Sequence, residues 1–571
     1  MYKFKIDKIA INCIDGKQEI IPKRVNVIVG PNNSGKSRLL KEIRDYLTGD
    51  YKNLSLLQRL DFPYPDNFDE LNMTYDIESK MRQDLYGNWM LKVYNSKPNQ
   101  ALDMNASLES YYSRNVNVFG ENWKEQFANA VKQKNNADFL NWFGCLFFQY
   151  IGTEERLTIC KQQRNYGMDS NATNYLTAFK FNDILLKSLA DKVKQIFKQD
   201  IYLDTQTLGD RLVFRVGENL ESICNGPTPN ETEAINLFEK DMLDAQGDGL
   251  KSFVSTFLSL NYDKNEILLI DEPEAFLHPP LARQMGEMIG ESENKDKIIF
   301  VATHSVEVLK GILSKCQDVN VIRITQPEPH KNSVKLINQD VLNEVLQNPL
   351  LRVSRILEGL FCDRVIITEA EADELVYQEL IDKLFPESGL FFAHGQNKQT
   401  LAPIARFYQE IGVKYEIIVD FDVLKEPREL NPFLALMPLQ KKEQNQIQSY
   451  AQNLRKIVNE SINIDELDEA EKEDAQKKKR DKVYHRHGVS FFDETMKEKV
   501  LATFDELSSY HLHILPTGEL ETILQDYDME NCPKKSRWVV DAIKKIAEMK
   551  KEDFAPTDTV YQFLNKVVNG L

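Results

Sequence analysis

The sequence predicts an α/β fold with successive domains built on parallel sheets, and three stretches carry this prediction. Val25–Ile43 has the pattern of an apolar strand, a glycine-rich loop and a helix. Glu266–Glu274 is an apolar strand that ends in an Asp-Glu pair. Arg364–Phe385 is an apolar strand that ends in glutamate and continues into a helix. Continuous apolar strands of this length are typical of sheets that are covered by helices on both faces.

Length, charge and cysteine content narrow the class of protein. At 571 residues, the chain is long enough for roughly three or four domains. It carries 71 basic and 88 acidic residues, a net charge of −17, which argues against a histone-like coating of nucleic acid but leaves room for a local basic groove. The seven cysteines are scattered without a C-x-x-C pair, which is typical of reduced thiols in a cytosolic protein and not of a disulfide frame or zinc site.

The N-terminal segment and the hydropathy pattern indicate where the protein resides. Met1–Ile6 has the alternating pattern of a strand and lacks the features of a signal peptide. Throughout the chain, apolar runs stay well short of the ~20 residues that a membrane-spanning helix requires. We therefore expect a soluble, cytoplasmic protein that does not engage a membrane.

The stretch Gly30–Ser37 fits the phosphate-loop pattern G-x-x-x-x-G-K-[ST]. Its glycines let the backbone wrap around phosphate, and the helix N-terminus directs free N–H groups at the anion. Lys36 would reach the β- and γ-phosphates, and the Ser37 hydroxyl would ligate Mg²⁺. The alternative, a chance match in a Gly/Asn turn, is disfavoured by the strand before it and the helix after it. The predicted ATP-binding residues are Asn32, Asn33, Ser34, Gly35, Lys36 and Ser37.

The stretch from about 50 to 140 lacks the alternation of apolar strands and helices that the phosphate-loop region shows. It is rich in Asn, Tyr and Gln, contains Pro63, Pro65 and Pro98, and shows no internal repeat. We expect a mainly helical insertion into the nucleotide-binding domain, for which a dimerisation role and a passive surface elaboration both remain open. The stretch of about 165–240 is a further possible dimerisation region.

Two weaker signals follow this insertion. Gly144–Gly152 is a buried strand by its apolar run, and Gln149 near its end is a candidate Mg²⁺ sensor, although an ordinary strand glutamine explains it equally well. Gly247 and Gly249 form a turn that opens an apolar helix, a geometry that suits phosphate. Such turns are common, and this one gains weight from its place just before the next motif.

The run Glu266–Glu274 is typical of the second acidic motif of phosphate-loop ATPases. Asp271 would hold Mg²⁺ through water, and Glu272 would polarise the attacking water as general base. A further strand, Lys297–Ala302, is followed by His304. A lone histidine is more often a packed polar side chain, but the order of the motifs favours a sensor of the γ-phosphate here.

Together these motifs resemble the ABC-type ATPase head of SMC-like and OLD (overcoming lysogenisation defect) family proteins. In that family the glycine turn of one subunit caps the ATP held by the phosphate loop of another. The resemblance therefore implies that Gly247 and Gly249 lie across a dimer interface, in a homodimer or higher homo-oligomer formed through the head. Gln246–Gly249 replaces the family's usual Ser-Gly-Gly signature.

A second acidic cluster lies in the C-terminal half. Glu369 ends a buried strand, and Asp373 falls one helical turn further on the same side. Asp420 and Asp422 follow the strand Tyr415–Val419, and their spacing of two projects both from one face. Carboxylates gathered at one edge of a parallel sheet repel each other unless a cation neutralises them, and oxygen-only ligands suit Mg²⁺ or Mn²⁺. The alternative is that these acids only cap strands and start helices.

The strand–Glu–helix and strand–Asp-x-Asp pattern resembles the TOPRIM domain of topoisomerases, primases and OLD nucleases. Ala370 replaces the family's usual glycine after the first glutamate, so the turn must form without a positive φ. Gly395 matches the glycine-containing turn between the two acidic motifs. The resemblance makes Glu369, Asp373, Asp420 and Asp422 the metal ligands and catalytic residues, with Glu371 a weaker candidate.

The remaining C-terminal residues add a helical insertion and further candidates. The stretch of about 435–500 is charged and helical; a solvated arm is one interpretation, and contact of Lys477–Arg480 and His485–His487 with DNA phosphates is the other. OLD nucleases have a further acidic residue after a Leu-Pro-x-Gly turn that forms a second metal site, which implies Glu519 or Glu521, with Glu521 preferred. They also have a lysine near the end that supports the transition state, which Lys566 matches.

These interpretations define two regions, an ATPase domain over 1–350 and a TOPRIM domain over 351–571. We expect an ATP-binding DNA endonuclease in which two metal ions about 4 Å apart activate water and stabilise the leaving oxygen. The alternative is an SMC-like ATPase that bridges DNA or proteins and uses the TOPRIM domain as a non-catalytic scaffold. The resemblance further implies bacterial anti-phage defence, with a helicase-like protein or a retron reverse transcriptase and its msDNA as partner.

Overall fold

The computed structural model describes residues 2–14, 16–83, 89–91, 121–165, 175–220, 230–262, 265–292, 296–347, 355–460, 477–527, 529 and 535–569. These residues form two compact units, Met1–Gln339 and Asp340–Leu571, so the junction lies about ten residues before the predicted boundary. Parts of the regions predicted as an insertion, as a dimerisation region and as the helical arm fall outside the described residues.

The strands and helices of the first unit follow the predicted α/β pattern. The strands are β1 Lys8–Cys13, β2 Gly16–Ile20, β3 Val25–Val29, β4 Leu57–Asp61, β5 Met81–Gln83, β6 Trp89–Leu91, β7 Phe148–Ile151, β8 Gln163–Arg164, β9 Asp200–Asp204, β10 Arg211–Gly217, β11 Asp241–Met242, β12 Ile267–Asp271, β13 Ile298–Ala302, β14 Val319–Glu328 and β15 Lys331–Ile337. The α-helices are Lys36–Leu47, Phe68–Tyr75, Ile77–Lys80, Trp123–Gln133, Asn136–Phe143, Thr153–Arg156, Tyr175–Phe179, Asp183–Phe197, Glu231–Phe238, Asp248–Asn261, Pro279–Glu291, Val306–Lys315 and Gln339–Gln347, the last of which begins at the junction.

A six-stranded sheet in the order β15-β14-β3-β13-β12-β7 forms the centre of the first unit. All neighbouring strands in it are parallel except the edge pair β14–β15. Strands β3, β7 and β12 are buried along their whole length, as their continuous apolar sequences predict. Because parallel strands end at the same edge, the loops after β3, β7, β12 and β13 lie next to one another. This edge positions the candidate nucleotide site.

The described parts of the predicted insertion belong to the hydrophobic core of this unit. Strand β4 pairs with β1 in an antiparallel sheet. The rings of Phe4 and Phe147 stack with centroids 4.2 Å apart, and Phe62 and Phe139 pack beside them. These residues are mainly helical, as expected, with the short strands β4, β5 and β6 between the helices, and their aromatic side chains complete the core. The Asn- and Gln-rich composition concealed this aromatic spacing.

The second unit is a parallel sheet covered by helices. The strands are β16 Arg364–Thr368, β17 Phe391–His394, β18 Lys414–Val419 and β19 Leu512–Ile514, in the order β17-β16-β18-β19. The α-helices are Glu371–Leu384, Lys398–Ile411, Pro427–Leu434, Lys441–Glu460, Glu494–Ser508, Lys535–Glu548 and Thr559–Asn569. Every strand pair is parallel, so the residues after β16, β18 and β19 meet at one edge. Over the described residues, every helix is too short or too polar to cross a bilayer.

A cluster of charged and polar side chains around the buried Glu416 fixes the register of three strands in this second sheet. Glu416 of β18 accepts hydrogen bonds from Arg364 of β16 (2.6 Å) and pairs with His513 (2.8 Å) and His511 (3.1 Å) at β19. Burial alone would raise the pKa of Glu416, but these hydrogen bonds hold it at about 2. Arg364 also donates to the carbonyl of Val567, which anchors the last helix. The cluster thus aligns the strands that carry the acidic residues.

Candidate functional site

The phosphate loop has the backbone that its sequence predicts. Gly30 and Gly35 have φ values of 146° and 100°, and Asn33 has a φ of 61°. A Cβ atom at Gly30 would lie 2.0 Å from the carbonyl oxygen of Ile324, so only glycine fits there. The loop leads directly into the helix Lys36–Leu47. Backbone N–H groups at this helix N-terminus are available to a phosphate group.

Lys36 lies inside this loop. Its side chain is only 3% exposed, and its ammonium donates to the carbonyl oxygens of Gly30 (2.8 Å) and Pro31 (2.6 Å). Burial lowers the pKa of Lys36 to about 8, although nearby carboxylates, led by Glu272, act in the opposite direction. The ammonium is thus held at the loop where the predicted contact with β- and γ-phosphates would be made.

The two residues predicted to hold Mg²⁺ in the head lie together. The Ser37 hydroxyl donates to a carboxylate oxygen of Asp271 at 2.8 Å, and the Tyr150 hydroxyl donates to the other oxygen at 3.1 Å. The structure does not bring Gln149 to this group: its amide donates to the Ser259 hydroxyl (2.8 Å) and is buried on the other face of β7. Side chains alternate along a strand, so Tyr150 and not Gln149 faces Asp271.

The predicted general base and the predicted γ-phosphate sensor face each other. His304 Nε2 lies 3.3 Å from Glu272 Oε1. Glu272 has a φ of 50°, which is unusual for a residue with a side chain. Glu274, which sequence reasoning left without a role, accepts hydrogen bonds from the Thr303 hydroxyl (2.8 Å) and the His304 backbone N–H (2.6 Å), and burial raises its pKa. Glu274 therefore fixes the turn that carries the histidine.

Arg156 is a buried residue of this site that the sequence did not reveal. Its guanidinium donates to the carbonyl oxygens of Asp271 (2.5 Å) and Glu272 (2.6 Å) and to the Ser252 hydroxyl (3.1 Å). The side chain is fully buried. It therefore holds the strained Glu272 backbone and ties the end of β12 to the helix Asp248–Asn261.

We expect Arg156→Met to destabilise the first unit and to slow ATP hydrolysis. The substitution leaves two buried carbonyl oxygens without their donor, and each such loss costs about 1–3 kcal/mol. It also frees the Glu272 backbone to leave its positive φ. Thermal unfolding and ATP turnover measure the two effects. Arg211→Met, at an exposed position on β10, is the control and should change stability by less than about 0.5 kcal/mol. Equal behaviour of the two variants would contradict this role.

The glycine turn lies at the start of the helix Asp248–Asn261. A Cβ atom on Gly247 would have no heavy atom within 4 Å, whereas one on Gly249 would lie 3.1 Å from the carbonyl oxygen of Phe276. Gly249 thus packs against the segment that follows Glu272 in the same chain, and Gly247 borders open space. The placement of both residues across a dimer interface remains a prediction.

In the second unit, Lys398 brings two of the predicted metal ligands together. Its ammonium forms an ion pair with Asp422 and lies 4.0 Å from Glu369 Oε2 and 3.9 Å from Glu429 Oε2. Burial disfavours its charge, but Asp422, Glu369 and Glu429 raise the pKa of Lys398 above its ordinary value. Neither Lys398 nor Glu429 was predicted as a site residue, because their contact depends on how separate helices of the folded chain meet.

The other predicted carboxylates lie around a buried tyrosine. Burial, and then the charges of Asp420, Asp373 and Glu521, raise the pKa of Tyr377 well above its ordinary range. Asp373 accepts a hydrogen bond from the Ala370 backbone N–H at 2.9 Å and so caps its own helix. Ala370 has a φ of −139°, and the turn forms without a positive φ, as expected. Asp373 therefore caps the start of its helix, which is the alternative to metal binding that the sequence left open.

The turn after β19 brings a histidine of the predicted basic patch into the acidic site. Glu519 forms an ion pair with His485, and its backbone N–H donates to the His485 carbonyl at 3.1 Å. The hydrogen bond with Glu519, with a smaller effect of Asp422, raises the pKa of His485. Lys566, by contrast, pairs with Asp505 of the helix Glu494–Ser508. The structure therefore offers Lys398, and not Lys566, as the lysine beside the predicted ligands.

The side chains at the edge where β16, β18 and β19 end fit a hard divalent cation. The carboxylates after β16, β18 and β19 supply oxygen donors only, the type that Mg²⁺ and Mn²⁺ prefer. The ammonium of Lys398 marks a point among Glu369, Asp422 and Glu429 where positive charge is stabilised. Within the described ranges, however, no set of three or more Asp, Glu, His or Cys side chains is gathered closely enough to ligate an ion.

Two family models match the chain. The model described as "AAA domain, putative AbiEii toxin, Type IV TA system" matches residues 164–310. The model described as "Overcoming lysogenization defect protein-like, TOPRIM domain" matches residues 360–422, the stretch that contains Glu369, Asp373, Asp420 and Asp422. The predicted combination of an ATPase domain with an OLD-like TOPRIM domain is thereby confirmed.

Two curated proteins are similar to parts of the chain. The chain is 22% identical over 391 residues to endonuclease GajA of Bacillus cereus (strain VD045), an alignment that spans 63% of this chain and 64% of that protein. It is 37% identical over 68 residues to the uncharacterized protein MJECL11 of Methanocaldococcus jannaschii, covering 12% of this chain and 60% of that protein. The chain thus spans less than two thirds of either relative.

Among solved structures, an SMC head bound to the C-terminal winged-helix domain of ScpA matches with a TM-score of 0.32 and 12% identity, covering 60% of this chain and 99% of that chain. The SMC head domain from Thermotoga maritima matches with a TM-score of 0.27 and 12% identity, covering 58% of this chain and 99% of that chain.

The matches to the ATPase and TOPRIM family models imply the use of a nucleotide and of divalent metal in general terms.

Proposed function

Because the chain pairs an AAA-type ATPase domain with an OLD-like TOPRIM domain, we propose that it is an ATP-regulated, metal-dependent endonuclease that hydrolyses phosphodiester bonds in DNA. One observation carries the proposal. Acidic residues follow three adjacent parallel strands, and the partly buried Lys398 neutralises Glu369 and Asp422 among them. Such a concentration of carboxylates at the C-terminal edge of a sheet suits divalent cations that act on phosphate esters.

The head supplies the nucleotide chemistry in this proposal. Lys36 would bind the β- and γ-phosphates, and Ser37 and Asp271 would hold Mg²⁺, which shields the phosphate charges when bound. Glu272 would accept a proton from the attacking water, with His304 beside it to sense the γ-phosphate. Arg156 keeps the backbone of Glu272 in place. The 3.3 Å approach of His304 and Glu272 supports this assignment.

The TOPRIM unit supplies the phosphodiester chemistry. Glu369, Asp420 and Asp422, with Asp373, would hold one Mg²⁺ or Mn²⁺ ion, and Glu519 or Glu521 would contribute to a second. Bound ions of this kind lower the pKa of water and stabilise charge on the leaving oxygen. His485, whose pKa is raised by Glu519, lies beside these carboxylates as a proton donor or a phosphate contact.

The biological setting is also part of the proposal. The relative from Bacillus cereus is named an endonuclease, and we infer that this chain cleaves DNA in the cytoplasm as a homodimer or larger homo-oligomer formed through its head. A role in bacterial anti-phage defence follows from the resemblance to OLD nucleases, with a helicase-like protein or a retron reverse transcriptase and its msDNA as the partner class.

A plasmid-nicking assay tests the proposal. We expect the full-length chain to convert supercoiled plasmid to nicked and linear forms with Mg²⁺ or Mn²⁺, and EDTA to abolish the reaction. The assay is run without nucleotide, with ATP, with ADP and with a non-hydrolysable ATP analogue, because the sign of the ATP effect is open. Asp420→Ala should remove cleavage and leave ATP hydrolysis unchanged. Cleavage that persists in Asp420→Ala would place the reaction elsewhere.

A bridging ATPase with a non-catalytic TOPRIM scaffold is the second candidate. One observation favours it: within the described residues, the acidic side chains are not gathered as the ligands of a bound ion would be. This candidate predicts that neither the wild-type chain nor Asp420→Ala cleaves plasmid under any nucleotide condition, while both retain ATP-dependent DNA binding. A gel-shift assay with the same plasmid measures that binding.

A further inference from the structure

We propose that Lys398 is a built-in counter-ion of the TOPRIM acidic site, which holds the carboxylates together without metal and is displaced when a divalent cation binds. The inference rests on the proposed function only in assuming that this site binds a cation. It assigns to Lys398 a role that its sequence position, at the start of the helix after β17, does not suggest.

The contacts of Lys398 define the counter-ion position. The Nζ atom of Lys398 lies 4.0 Å from Glu369 Oε2 and 3.9 Å from Glu429 Oε2, and it forms an ion pair with Asp422. The side chain is 14% exposed, so solvent screens these charges only partly. Three carboxylates from three different segments therefore converge on one positive charge.

The local position of Lys398 makes these contacts informative. Lys398 is the first residue of the helix Lys398–Ile411, where the helix dipole disfavours a cation. The Asn397 side chain caps that helix end by accepting a hydrogen bond from the Thr400 backbone N–H at 3.2 Å. Lysine thus contributes nothing favourable to the helix start, and its stabilisation comes from the carboxylates of the site.

Electrostatics makes the ammonium and a divalent ion competitors. Glu369 and Asp422 are needed by both, and the ammonium beside their oxygen atoms repels an incoming divalent ion. A divalent ion such as Mg²⁺ carries twice the charge and binds carboxylate oxygens at about 2.0–2.1 Å, which Lys398 does not allow while it lies among them. The flexible four-carbon stem of lysine lets the ammonium move aside.

The counter-ion role predicts two measurable effects of Lys398→Met. Without metal, the thermal midpoint should fall because the carboxylates repel one another, and Mn²⁺ should restore it. The Mn²⁺ concentration at half-saturation should fall by roughly tenfold, because the ion no longer displaces a positive charge from the site. Isothermal calorimetry on the nucleotide-free full-length chain measures the affinity, and differential scanning calorimetry with and without Mn²⁺ measures the midpoint.

Two further variants serve as controls. Lys383→Met removes one positive charge from the same unit at a lysine that donates to the backbone carbonyls of Ala547 and Met549, and its Mn²⁺ affinity should stay within about twofold of wild type. Lys398→Arg keeps the charge and should keep the Mn²⁺ affinity near that of wild type. It also provides the test should Lys398→Met fail to fold, since a tenfold gain in Mn²⁺ affinity in Lys398→Arg would overturn the proposal.

Weaker or unchanged Mn²⁺ binding in Lys398→Met would overturn the proposal, because a lysine that positions the ligands predicts weaker binding and a merely structural ion pair predicts no change. A midpoint that falls equally with and without Mn²⁺ would also overturn it. DNA and ATP take no part in these measurements. Failure of the counter-ion role therefore leaves plasmid cleavage by the wild-type chain unaffected, and absence of cleavage leaves the Mn²⁺ comparison intact.

Discussion

Glu272→Gln is expected to reduce ATP hydrolysis by about 10²–10⁴-fold while ATP binding is retained, since general-base catalysis contributes a factor of this size. Glutamine keeps the size and polarity of the side chain but cannot accept the proton of the attacking water. The backbone contacts of Glu272 with Arg156 (2.6 Å) and Ala302 (2.8 Å) are unaffected by the change. Steady-state phosphate release measures turnover, and a fluorescent ATP analogue measures binding.

The matched control for this variant is Glu125→Gln, an exposed acid on the helix Trp123–Gln133. It should hydrolyse ATP at the wild-type rate. If Glu272→Gln also hydrolyses ATP within about threefold of wild type, Glu272 is not the base. If it loses ATP binding as well, the side chain contributes to the nucleotide pocket and not to the proton transfer that P-loop ATPases require.

Glu369→Gln is expected to lower plasmid cleavage by at least about 10²-fold, because even residues that only support a metal ligand contribute 10–100-fold. Glu369 directly follows the buried strand β16 and lies 4.0 Å from Lys398. The amide keeps the shape of the side chain but loses the charge that attracts a divalent ion. ATP hydrolysis should be unchanged, which shows that the head remains folded.

Glu379→Gln is the control for this second variant. Glu379 is an exposed acid on the helix that follows Glu369, so the substitution removes the same charge from the same unit. Cleavage by this control should equal that of wild type. Cleavage by Glu369→Gln at the wild-type rate would show that the acidic edge of the TOPRIM sheet takes no part in the reaction. Loss of cleavage in both variants would indicate an effect of net charge instead.

The local motifs could be predicted because strand, turn and helix follow one another in the sequence. The phosphate loop, the Asp271-Glu272 pair and the strand that ends in Glu369 each need only a short window, and the predicted α/β class and domain types are confirmed. Ser37 and Asp271 are 234 residues apart, but their proximity could be predicted because both motifs are expected to hold the same Mg²⁺ ion.

Side chains that act across the fold could not be predicted. Arg156 contacts residues about 115 positions later in the chain, and nothing in its own helix indicates that role. Lys398 follows β17 and Asp422 follows β18, and the two meet because only β16 lies between these strands in the sheet. Whether Gln149 or Tyr150 faces Asp271 depends on the register of the four-residue strand β7, which could not be predicted from its apolar run. Strand alternation, once the register is known, explains the difference.

The central claim is that the acidic edge of the TOPRIM unit binds divalent cations. The most direct test is a Mn²⁺ titration, by isothermal calorimetry, of nucleotide-free full-length protein that carries Ser37→Ala to weaken binding at the head. We predict that this protein binds Mn²⁺ and that adding Asp420→Asn and Asp422→Asn abolishes the binding. Equal Mn²⁺ binding by the two proteins, or none by the Ser37→Ala protein, would contradict the claim.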